Sequence, residues 1–129
     1  METETRILIV DDDPFYAKVV REWLRERYRV FAVTSGQQAL TFLSKKQVDL
    51  LLLDYQMPEM DGQRVLERLR ENPATSALTV VFLTGADVAV SDDAWEPSEE
   101  MKALRPAGCL SKSIGREELL RRVAEFLPK

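Results

Sequence analysis

The chain has 129 residues, and 18 Lys and Arg against 22 Asp and Glu give a formal net charge of −4, with one cysteine and no histidine. Without histidine there is no Ser-His-Asp triad, Cys-His pair, imidazole base or His-liganded zinc, so any chemistry falls to carboxylates, Lys, Ser, Thr, Tyr or a hard metal. Forty-five per cent hydrophobic residues suffice for one packed domain over 1–129, while a pI of about 5.0 argues against direct contact with nucleic acid.

The lone cysteine rules out an internal disulfide and fits a reducing cytosol, so the expected location is the cytoplasm. No apolar run approaches the ~20 residues of a membrane span, and the polar, acidic start is unlike a signal peptide, so no membrane contact is expected. Ile7-Leu8-Ile9-Val10 is a continuous apolar run and reads as a strand buried on both faces. Asp13 followed by Pro14 is a helix N-cap with proline in the first turn. Phe15, Val19, Val20, Trp23 and Leu24 then recur at helical spacing, predicting a helix over 14–27. Residues 29–33 read as a second strand, and Ser35 with Gln38 as a capping box for a helix carrying Ala39, Leu40 and Leu43.

Four leucines bounded by Asp49 and Asp54 read as a central strand. A loop over 57–62 leads to a helix carrying Val65, Leu66 and Leu69 that ends near Asn72 and Pro73. Residues 78–83 form a fourth strand that stops at Thr84 and Gly85. The acidic stretch 85–106 is irregular, with a short helix opening at Pro97-Ser98-Glu99-Glu100 and running through Leu104. Residues 107–111 are a weak fifth strand, and Leu119, Leu120, Val123, Ala124 and Leu127 mark a last helix with Ser113 as its expected N-cap.

Five strand-helix units predict an α/β domain with a parallel, doubly wound sheet and helices on both faces. Ligands bind such sheets beyond the carboxyl ends of the strands. Asp11, Asp12 and Asp13, then Asp54, Thr84 and Lys112, follow four of the strands there. Asp13 is assigned to capping. Several carboxylates in one cleft repel each other, a cost that a hard divalent cation offsets. Beside such an ion a carboxylate can act as a nucleophile, while Thr supplies a hydroxyl and Lys a cation for phosphoryl charge. Any one of these residues alone reads as a solvated side chain; the signal is their joint placement.

With these residues the chain resembles the receiver domain of two-component response regulators. The resemblance runs from about Arg6 to Leu127. It is carried by Ile7 to Pro14, by Leu53-Asp54-Tyr55-Gln56-Met57-Pro58-Glu59-Met60-Asp61-Gly62, by Phe82-Leu83-Thr84-Gly85 and by Leu110-Ser111-Lys112. It implies a flavodoxin-like three-layer fold with strand order 2-1-3-4-5. It also implies a bacterial-type phosphorelay in which Asp54 accepts a phosphoryl group from the phosphohistidine of a kinase or phosphotransfer protein. By the same resemblance Mg²⁺ is held by Asp12, Asp54 and the Gln56 carbonyl, with Asp11 acting through water. Thr84 and Lys112 contact phosphoryl oxygens, and Pro58 and Gly62 shape the loop after the acceptor. The changed face formed by the fourth strand, the helix after it and the fifth strand then controls a partner or output domain; such a chain is an acceptor rather than a turnover enzyme.

Three positions depart from the family pattern. Cys109 stands where the family carries an aromatic residue, Ser113 replaces the proline after the lysine, and Thr84 and Lys112 are 28 positions apart, longer than usual. The surplus falls in the acidic stretch, where Trp95 is either a packing residue or an exposed anchor for a partner. These departures support an alternative, a receiver that binds proteins independently of phosphorylation. A haloacid-dehalogenase-like phosphatase fits less well, because its signature needs a threonine where Phe15 stands. A flavin carrier fits poorly because three acids would repel a phosphate after the first strand.

Overall fold

A computed structural model describes residues 4–85 and 96–127. In chain order these form β1 (Arg6–Val10), α1 (Pro14–Leu24), β2 (Arg29–Val33), α2 (Gly36–Leu43), β3 (Leu50–Asp54), α3 (Gly62–Glu71), β4 (Val80–Thr84), α4 (Glu99–Ala103), β5 (Gly108–Ser111) and α5 (Arg116–Phe126). The five strands make one parallel sheet in the order β2-β1-β3-β4-β5. The fold expected from sequence is therefore the fold observed. The segment 86–95, with Trp95, lies outside the described residues.

Strand alternation divides the core into two layers. Ile7, Ile9, Leu50, Leu52, Val81, Leu83 and Leu110 pack with Ala17, Val20 and Leu24 of α1 and Leu119, Leu120 and Val123 of α5. Their neighbours Leu8, Val10, Leu51, Leu53, Val80, Phe82 and Cys109 pack on the other face with Ala39, Val65, Leu66, Leu69 and Met101. Successive strand side chains point to opposite faces, so a strand covered on both sides must be apolar at every position. β3 meets that demand with four consecutive leucines, each fully buried.

Helix ends follow local hydrogen-bond needs. Asp13 caps α1, its Oδ1 accepting from the Phe15 N–H at 3.0 Å and the Tyr16 N–H at 3.4 Å. The helix stops at Leu24 rather than at 27, because the N–H groups of Arg27 and Tyr28 both return to the Leu24 carbonyl and turn the chain into β2. Ser35 Oγ accepts from the Gln38 N–H as the capping box requires, but Gln38 Oε1 reaches one residue further back, to the Thr34 N–H at 2.8 Å. Ser98 caps α4 by accepting from the Met101 N–H.

The expected cap at Ser113 is corrected by the structure. α5 begins at Arg116 after Gly115, which makes no side-chain capping bond. Ser113 instead belongs to the preceding turn, with its Oγ 2.7 Å from Ser111 Oγ and its N–H donating to the same atom at 3.1 Å. Glu117 and Glu118 in the first turn of α5 place negative charge at its positive end.

Arg70, near the end of α3, joins three segments. Its guanidinium donates to the carbonyls of Leu104 and Leu78 at 2.7 and 2.8 Å, of Arg105 at 3.0 Å, and of Ser76 and Thr75 at 3.2 and 3.4 Å. It thereby ties the entry to β4 and the turn between α4 and β5 to α3. Burial and the neighbouring Arg105 charge lower its pKa. Arg70→Ala should cost on the order of 2–3 kcal/mol in urea denaturation, and Arg70→Lys should not restore it, because an ammonium cannot span this fan of carbonyls.

Candidate functional site

The same alternation that builds the two core layers sorts the polar residues at the strand ends. Asp11 continues the row of Ile7 and Ile9, Asp54 that of Leu50 and Leu52, and the residue two beyond Leu110 is Lys112. All three turn toward the α1–α5 side and meet there. Lys112 Nζ lies 2.7 Å from Asp11 Oδ2 and 3.3 Å from Asp54 Oδ2. Asp11 is fully buried and Asp54 only 4% exposed.

Thr84 follows Val80 and Phe82 instead, so its side chain points to the opposite layer. Its Oγ1 lies 3.9 Å from the Cys109 thiol, which is fully buried. Thr84 joins Lys112 through the backbone, its carbonyl accepting from the Lys112 N–H at 2.8 Å. Asp12 is exposed at the mouth of the cleft, and Gln56 donates its N–H to Asp54 Oδ1 at 3.2 Å. The structure thus brings Asp11, Asp12, Asp54 and Lys112 together, with Gln56 and Thr84 at the edge.

Two features fix the surroundings of Asp54. A Cβ at Gly62 would stand 2.7 Å from the Asp54 carbonyl oxygen and 2.9 Å from the Phe82 ring. Only glycine lets the start of α3 approach β3 so closely, where its N–H donates to the Tyr55 carbonyl at 2.9 Å. In the loop between them Glu59 adopts φ 69°, a left-handed conformation, beside the turn closed by the Met60 N–H and the Pro58 carbonyl.

The sequence reading missed Tyr16. Its ring centroid lies 5.1 Å from Lys112 Nζ. Burial, and then the charges of Asp11 and Asp54, push its hydroxyl pKa well above the ordinary value, so it stays protonated. Helical spacing alone assigns Tyr16 to packing, and nothing in the one-dimensional pattern ties it to a lysine 96 positions away.

Electrostatic stress in the cleft is large. The Asp54 carboxyl is pushed up to about 7, first by burial, then by the Asp11 charge and by the Asp12 side chain, against the opposing pull of Lys112 and the Gln56 N–H. Burial acts to lower the Lys112 pKa, but its contacts with Asp11 and Asp54 outweigh that and leave it raised. Carboxylate oxygens of Asp11, Asp12 and Asp54 all lie within 4.8 Å of one another. Asp11 Oδ2 is buried and accepts no well-aligned hydrogen bond, its charge being met by the ion pair with Lys112. A hard, oxygen-only donor set with excess negative charge fits Mg²⁺.

The response regulator receiver domain family matches residues 7–124. The chain belongs to that family. Among solved structures the receiver resembles the chemotaxis response regulator CheY4 of Vibrio cholerae, with a TM-score of 0.83 and 25% identity, over 97% of this chain and 100% of that one. Over 93% of its length it is 32% identical to an uncharacterized 14.6 kDa protein of Leptolyngbya boryana, covering 88% of that protein. It is 42% identical over 83 residues to the Vibrio cholerae protein named "Probable cyclic di-GMP phosphodiesterase", over 64% of this chain and 19% of that protein. The rice two-component response regulator ORR7 is 35% identical over 107 residues, over 78% of this chain and 51% of that protein. The receiver thus spans about a fifth of the one and about half of the other.

The raised Asp54 pKa sets a pH dependence. The folded state holds a proton up to about pH 7 that the unfolded chain releases near 3.8. This contribution to stability is complete below that lower value and declines as pH rises through the folded value. Without added metal, stability in urea should therefore fall between about pH 4 and about pH 7. Asp54→Asn should flatten that slope and raise stability at the upper end by on the order of 1–3 kcal/mol.

Proposed function

We propose that this receiver accepts a phosphoryl group on Asp54 from the phosphohistidine of a histidine kinase or phosphotransfer protein. The observation that carries this reading is the buried Asp54 carboxylate, 3.3 Å from the Lys112 ammonium and clustered with Asp11 and Asp12. Asp54 Oδ attacks phosphorus, the P–N bond breaks, and its electron pair stays with the departing imidazole nitrogen. Attack requires the ionised carboxylate, which the charge of Lys112 favours. Asp12, Asp54 and the Gln56 carbonyl would hold Mg²⁺, with Asp11 acting through water. When bound, the ion supplies positive charge that ionises the acceptor and screens the incoming phosphoryl oxygens.

Lys112 then pairs with one phosphoryl oxygen, and the Thr84 hydroxyl turns to donate to another. Replacing a partly protonated carboxyl by an acyl phosphate adds negative charge at the end of β3. Thr84 and Lys112 carry that change to the β4-α4-β5 face, which acts on a partner or output domain. On this reading the chain is a single cytoplasmic signalling domain, not a turnover enzyme.

A second reading, protein binding independent of phosphorylation, is favoured by Cys109. The thiol touches Thr84 where the family carries a ring, so a movement of Thr84 has no aromatic side chain to reposition. The two readings differ in how far a bound phosphoryl mimic is felt. With beryllofluoride and Mg²⁺, amide shifts spreading over 96–111 support the switch, whereas shifts confined to the cleft support the second reading.

Phosphorylation is tested with phosphoramidate. Intact mass should show one added phosphoryl group in the presence of Mg²⁺, a rate at least about a hundredfold lower in EDTA, and no product from Asp54→Asn. Labelling of Asp54→Asn at the wild-type rate would contradict the assignment.

A further inference from the structure

We propose that Tyr16 is a positioning residue for Lys112, its ring face fixing the ammonium beside the acceptor; this rests on the phosphoacceptor reading above. Lysine carries a compact charge on a flexible stem, so its usefulness at a reacting centre depends on what holds the stem. Here the residue after it is Ser113, and the turn is held by the Ser111–Ser113 hydroxyl pair and the Thr84 carbonyl rather than by a proline ring. Two carboxylates attract the ammonium, Asp11 at 2.7 Å and Asp54 at 3.3 Å. The Tyr16 ring lies 5.1 Å from it, within the range of a cation–π contact.

The contacts close on themselves. The Asp13 N–H donates to Asp11 Oδ1 at 2.8 Å, Asp13 Oδ1 caps the Tyr16 N–H at 3.4 Å, the Tyr16 ring meets Lys112, and Lys112 returns to Asp11 Oδ2. The start of α1 is thus tied at both ends to the acid–lysine cluster. Tyr16 also packs on the α1–α5 core, so packing alone is the competing explanation, and side chains of similar size separate the two. Phenylalanine keeps the ring face and loses only the hydroxyl; leucine keeps apolar bulk and loses the face.

The experiment compares wild type, Tyr16→Phe, Tyr16→Leu and Asp54→Asn in two assays. The first is the initial rate of labelling by phosphoramidate with Mg²⁺. The second, in metal-free protein, is the proton shift of the Lys112 ε-methylene, which a ring face moves upfield. Tyr16→Phe should label within about twofold of wild type and keep the upfield shift. Tyr16→Leu should be slower by roughly three- to thirtyfold, the ratio that a contact of this class carries, and should lose the shift. Equal rates for Phe and Leu variants, equal impairment of both, or an ordinary Lys112 shift in wild type would overturn the proposal. Labelling of Asp54→Asn would instead refute the acceptor assignment, while the shift still decides the Tyr16–Lys112 contact. Where Tyr16→Leu does not fold, Tyr16→Met serves in its place.

Discussion

Two carboxylates almost withdrawn from water, Asp11 and Asp54, share one ammonium, and much of the molecule serves that arrangement. Isolated buried charges are prohibitively costly, and like charges so close cannot both ionise freely. Lys112 offsets part of the repulsion, and the remainder is visible in the Asp54 carboxyl, held near neutrality instead of in the ordinary acid range. A site with a residual demand for positive charge and a carboxyl poised near its ionisation point suits the proposed binding of a cation and acceptance of a phosphoryl group.

The fold produces this cluster through strand parity. Because successive strand residues alternate between the two faces, each polar residue at or just beyond a strand end inherits a direction from the residues two and four before it. Asp11, Asp54 and Lys112 inherit the α1–α5 side, whereas Thr84 inherits the other, next to Cys109. On the proposed reading Thr84 is the residue that reorients to engage a phosphoryl group, while Lys112 already lies beside Asp54. Gly62 allows α3 to close on β3, and Arg70 anchors the opposite end of α3 to the α4–β5 turn.

Much of this was legible in the sequence, for identifiable reasons. Ile7 to Val10 and Leu50 to Leu53 could be assigned because a strand covered on both faces leaves no polar position, and Asp13 because a cap before proline is a local signal. The acids, Thr84 and Lys112 were legible once the strand ends were placed. What stayed hidden depends on contacts distant along the chain. Tyr16 looks like any apolar helix position until Lys112 is brought over its ring. Arg70 looks like a solvated charge until five carbonyls converge on it. Ser113 looked like a helix cap because serine favours caps, yet its hydroxyl is engaged by Ser111, so α5 starts two residues later beside an uncapping glycine.

The ionisation of Asp54 itself tests this most directly. A carbon-13 titration of the aspartate carboxyls in metal-free protein should show Asp54 changing near pH 7. Saturating Mg²⁺ should move that change to lower pH. An Asp54 carboxyl that titrates near 4, with or without Mg²⁺, would mean that the cleft is neither electrostatically stressed nor coupled to a cation, and would contradict the central claim.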